Sequence, residues 1–132
     1  PEEQNSVTAE MTNPNAKDAA AHEALSVMRD AVSFARDGGF RGNQFLGGFP
    51  DDQHPSVAAA RLSGAATTAS RQARQLGTAR SHKAAKAAHS RALQAHERAL
   101  TSDLTDRDRL VHESYADAHR AAMAAHDIGA LT

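Results

Sequence analysis

The sequence predicts an all-α protein, a helical bundle or a set of extended helices, and three observations carry that prediction. Alanine supplies 30 of the 53 hydrophobic residues, apolar residues recur at three- and four-residue spacing, and six histidines keep intervals of seven. Alanine has the best helix propensity but buries little area, so this chain forms helices more readily than it stabilises a core. Leu, Ile, Val and Phe together number 19 of 132 residues, below the roughly one-fifth at which disorder is considered, but a net charge of -1 fails the other half of that criterion. Helices with a thin core call for self-association or a protein partner.

The length suits one domain, with residues 1–12 as a polar arm and 13–132 as a helical unit. Cysteine is absent, which excludes disulfides and thiolate metal sites. No apolar run is long enough to span a membrane and no secretion signal opens the chain, so the expectation is a soluble protein, in the cytoplasm or in a virion.

The first helix is predicted over about 14–37. Asn13 is a natural cap and Pro14 suits the first turn, where its missing N–H costs nothing. Leu25, Met28, Val32 and Ala35 form an apolar stripe joined by Val27, Ala31 and Phe34, and Gly38-Gly39 ends the helix. A glycine-rich connection over 38–53 follows, with Phe40, Phe45, Leu46 and Phe49. Aromatics are too many for a mere linker, and they suit either a plug at one end of the helices or an interface anchor.

From Pro55 to about Thr101 the pattern allows one long helix or two, with Gly64 and Gly77 as the candidate breaks. Thr105 followed three positions later by Asp108 resembles a capping box, so a last helix is expected over 106–128 with Gly129 as its stop.

His82, His89 and His96 share one heptad position, and His112, His119 and His126 share the same position on the next helix. The adjoining seam positions hold Ala85, Ala88, Ala92 and Ala95 on one helix and Ala118, Ala122 and Ala125 on the other. Folded antiparallel about residues 103–105, the helices form an alanine-seamed hairpin in which His82 meets His126, His89 meets His119 and His96 meets His112. Alanine permits close approach, and the histidines then flank the seam with their polar edges toward water. Two further readings are a pH switch, because paired imidazoles become like charges in acid, and a metal site. Histidines seven apart on a helix lie about 10.5 Å from one another, so the three of one helix cannot share an ion, and a cross-helix pair supplies two ligands where zinc usually wants a third or fourth. No HxxxH or ExxH spacing completes a site, and the expectation is no metal and no cofactor.

Charge is uneven along the chain. Residues 57–98 hold eight basic groups against Glu97 alone, while the segments on either side are acidic. Arg61, Arg71, Arg74, Arg80, Lys83 and Lys86 are candidate phosphate contacts in a nucleic-acid reading, but no interleaved aromatics are present to stack bases. Catalysis finds no oriented triad and no phosphate-binding loop, so the chain is expected not to be an enzyme.

The recurrence AHSRALQAHERAL and AHRAAMAAHDIGA within residues 81–130 resembles the alanine-, arginine- and histidine-rich helices of head and assembly proteins of tailed bacteriophages. That resemblance implies a small virion or assembly component docking on a capsid or on its own copies. The expected function is therefore a structural, assembly-type protein. The alternatives are nucleic-acid binding through the basic segment and a histidine-based response to pH or metal.

Overall fold

A computed structural model describes residues 14–37 and 55–131. They form four helices: α1 (Pro14–Asp37), α2 (Pro55–Leu76), α3 (Ala79–Leu100) and α4 (Asp106–Gly129). There is no strand among the described residues, and none of the four helices is long and apolar enough to cross a membrane. The protein is all-α, a bundle in which α1 packs on α4, α4 on α3 and α3 on α2, with a looser seam between α2 and α1.

The stretch from Pro55 to Leu100 is two helices, and Gly77 separates them. Its φ of 61° ends α2 in the left-handed region that side chains with a Cβ rarely adopt. Thr78 then restarts the chain in an extended conformation, its Oγ1 accepting from the Ser81 N–H at 3.0 Å while Ser81 Oγ accepts from the Thr78 N–H at 3.2 Å. Two orphan donors of the new helix are satisfied reciprocally. Gly64, by contrast, lies inside α2 on an exposed face and breaks nothing. At the start of α4 the Thr105 hydroxyl accepts from the Asp108 N–H at 3.1 Å, and Asp106 and Asp108 put negative charge at the positive end of the helix dipole. Gly129 is the last residue of α4 and Ala130 caps it.

The apolar core is thin and comes in pieces. Ala24 meets Ala122 and Ala125, Met28 and Ala31 meet Ala118, Ala35 meets Val111, and Ala66 meets Ala88 and Ala92. The first three clusters join α1 to α4 and the fourth joins α2 to α3. Small residues let each pair approach closely, at the cost of little buried area per contact. Two expectations change. The buried stripe of α1 runs along Ala24, Met28, Ala31 and Ala35, while Phe34, off the face that packs on α4, is 48% exposed. The hairpin seam also turns outward. Ala88 and Ala92 contact α2, and Ala118, Ala122 and Ala125 contact α1; Ala85 is buried and Ala95 half-buried.

What fills the centre is polar. The largest fully buried side chains are His82, His89, His96, His112, His119 and His126, followed by Val111, Ser56 and Ser70.

Candidate functional site

The six histidines lie inside the bundle, none with any exposed area. This overturns the expectation that their polar edges meet water. In a lone hairpin the position flanking the seam faces solvent, but here α1 and α2 cover the hairpin and turn that flank into the central layer.

Within this layer the rings pair across α3 and α4 through their Nδ1 atoms: His82 with His126 at 2.9 Å, His89 with His119 at 2.8 Å and His96 with His112 at 2.7 Å. In each pair one Nδ1–H donates and the other Nδ1 accepts. The opposite nitrogens reach α2. Ser70 Oγ lies 2.7 Å from His89 Nε2 and 2.8 Å from His126 Nε2, and Ser63 Oγ lies 2.7 Å from His96 Nε2 and 2.8 Å from His119 Nε2. Ser56 Oγ lies 2.9 Å from His112 Nε2. Each shared hydroxyl has one O–H and two lone pairs, enough to donate to one ring while accepting from the other.

Joined end to end, these contacts form one continuous chain: His82, His126, Ser70, His89, His119, Ser63, His96, His112, Ser56. Its height along α4, from His126 to His112, is 14 residues or about 21 Å. Rings in successive layers also stack, His89 on His126 with centroids 5.6 Å apart, and Tyr115 lies parallel to His96 at 5.0 Å.

The serines were not among the residues singled out from sequence. A signal for them exists: Ser56, Ser63 and Ser70 keep the same interval of seven as the histidines, and each precedes its α4 partner by 56 positions, eight heptads. Continued one step, the serine series reaches Gly77, the turn between α2 and α3. No hydroxyl stands there for His82, and His82 Nε2 is the one buried side-chain polar atom among the described residues that lacks a hydrogen-bond partner. Room for that ring comes from Gly129, where an added Cβ would overlap it. Close by, the Lys17 ammonium is buried and donates to the Gly129 carbonyl at 2.7 Å.

Burial dominates the electrostatics. It lowers the pKa of His89 to about 3 and of His96 to about 2, with neighbouring rings adding repulsion; it lowers His119 and His126 to about 4. His82 is lowered by burial and by the Lys17 charge, while the Lys17 carbonyl pulls the other way. The Tyr115 phenol is raised by burial and pulled back by Arg36. At neutral pH His89, His96, His119 and His126 are therefore uncharged hydrogen-bonding groups, and apart from His82 Nε2 the ring nitrogens of the spine are paired with one another or with the serines of α2.

Other candidates lie apart from this spine. Arg61, Arg71, Arg74, Arg80 and Lys83 are exposed and Lys86 is half-buried. Arg74 pairs with Asp18 at 2.9 Å and Lys86 with Asp127 at 2.7 Å. Phe40, Phe45, Leu46 and Phe49 fall outside the described residues. Among the described residues no group of three or more His, Asp or Glu side chains could hold a metal ion. A cleft of about 280 Å³ between α1 and α2, walled by Met28, Val32 and Ala35, reaches Ser63, His96 and Tyr115.

The chain matches no protein-family model, no curated protein and no solved structure.

Proposed function

We propose that the protein is a non-enzymatic structural module whose helices assemble at neutral pH and come apart in mild acid. The observation that carries this reading is the fully buried, hydrogen-bonded chain of six histidines and three serines at the centre of the bundle. A histidine held neutral in the fold but free to take a proton when unfolded has a folded pKa below its unfolded value near 6.5. Its stabilising contribution is then present above about pH 6.5 and is lost as pH falls below it. Each such group withdraws about 1.4 kcal/mol per pH unit in that window. His89, His96, His119 and His126 together withdraw about 5 kcal/mol per unit, against a total domain stability of about 5–15 kcal/mol.

The charged groups around the spine oppose this only in part. Lys17 on α1 disfavours a proton on His82, Asp127 on α4 favours one on His126, and Arg36 acts on Tyr115 rather than on a ring of the spine. The thin apolar core supplies little reserve. The likeness of residues 81–130 to phage head helices supports a setting in a virion or another protein assembly. The nucleic-acid alternative is weakened by the commitment of Arg74 and Lys86 to Asp18 and Asp127.

Circular dichroism and sedimentation equilibrium between about pH 7.5 and pH 4.5 test this. Cooperative loss of helix between pH 6 and pH 5, reversed on neutralisation, is the expected result. A bundle that keeps its helix content and mass at pH 4.5 would overturn the reading.

A further inference from the structure

The spine's proton inventory constrains it further. A neutral imidazole carries one ring proton and a serine hydroxyl carries one. Eight hydrogen bonds link the nine groups, and each needs one proton between its two atoms.

Start from His82. If its proton sits on Nδ1, it donates to His126 Nδ1, so the His126 proton must sit on Nε2 and donate to Ser70. The Ser70 hydroxyl must then donate to His89 Nε2, which places the His89 proton on Nδ1, and the same step repeats through His119, Ser63, His96 and His112 to Ser56. Every α3 histidine is then protonated on Nδ1 and every α4 histidine on Nε2. Placing the His82 proton on Nε2 reverses all of these assignments. The remaining arrangements of neutral rings make Ser63 or Ser70 accept from both of its rings, and each leaves that hydroxyl's own proton without an acceptor, because among the described residues neither Oγ has a hydrogen-bond partner besides its two histidines.

We infer that the six histidines share one proton order, so that the group presented to His82 Nε2 decides which ring nitrogen of His112 carries its proton, about 21 Å away. A hydrogen-bond donor at His82 Nε2 selects the first order and an acceptor selects the second. Converting one into the other takes one proton gained at His82 Nε2, one hop across each of the eight bonds, and one proton given up at Ser56 Oγ. The net charge is unchanged at the end. The His82 terminus is the input because its Nε2 is buried and unpartnered, the serine series having given way to Gly77 at that level. The relay rests on the spine's geometry and not on acid opening, so a neutral-pH measurement separates the two proposals.

The test is long-range 1H–15N correlation on the full chain labelled with 15N-histidine at about pH 7.5, which reports the tautomer of each ring. One shared tautomer for His82, His89 and His96, with the opposite one for His112, His119 and His126, is expected. If both orders are populated, one pair of populations should describe all six rings. Different tautomers or populations among rings of the same helix would overturn the inference. Lys17→Met, which alters the field at His82, should change the populations at His112 by the same amount as at His82; a change confined to His82 would also refute it. The wild-type spectrum decides by itself if that variant fails to fold.

Discussion

Two sides of this bundle are held in opposite ways. Where α1 meets α4 the contact is apolar and made of small residues: Ala24, Met28, Ala31 and Ala35 against Val111, Ala118, Ala122 and Ala125. Where α2, α3 and α4 converge the contact is a column of imidazoles and hydroxyls. The first side gains from area removed from water and is indifferent to pH. The second gains little per hydrogen bond, about 1 kcal/mol net, but costs about 1–3 kcal/mol for each group left unpaired. A polar centre of this kind fixes the register more strictly than it stabilises the fold. A slip of one heptad would leave a serine or a ring at each end without its partner, whereas alanine faces would tolerate it.

Four substitutions break or sharpen that contrast. Ser63→Ala strikes the polar side hardest, because His96 Nε2 and His119 Nε2 both lose their partner. Urea unfolding at pH 7.5 should show a loss of about 2–6 kcal/mol, two unsatisfied groups' worth. Met28→Ala strikes the apolar side and should cost about 2–5 kcal/mol. The number of protons taken up on acid unfolding should stay unchanged, and a shallower pH dependence of stability would show that the two sides are not independent. At the end of the spine, Gly129→Ala drives a methyl into the His82 ring and should cost about 1–3 kcal/mol by overpacking, readable as a lower thermal midpoint. The smallest effect belongs to neither side. Gly64 is helical, and an added Cβ would meet nothing within 4 Å, so Gly64→Ala should stabilise the bundle by about 1 kcal/mol and raise the urea midpoint.

Much of this was legible in the residues. Helix class follows from alanine content and spacing, and Thr105 followed by Asp108 marks the start of α4 because capping chemistry is local. The three histidine pairs also follow from local information, since a short turn near residues 103–105 and one heptad phase leave a single antiparallel register, and the pairs lie at hydrogen-bonding distance in it. The break between α2 and α3 was less legible. Gly64 and Gly77 look alike in sequence, and what separates them is the Thr78 and Ser81 cap that follows only the second.

Burial of the histidines was not legible, because a pattern of period seven names a helix face without saying what covers it. Two helices would have left that face wet; four enclose it. The serines escaped notice for a related reason: a serine on a helix is ordinary until a ring stands opposite it, and the distance of 56 residues between Ser63 and His119 is bridged only by the tertiary fold. Local propensity, capping and heptad phase thus determined the helices and the pairing of α3 with α4, since these act over one or two turns of chain. The dry interior, the lowered histidine pKa values and the continuous hydrogen-bonded spine were decided by tertiary packing, because desolvation depends on everything around a group and not on its neighbours in sequence.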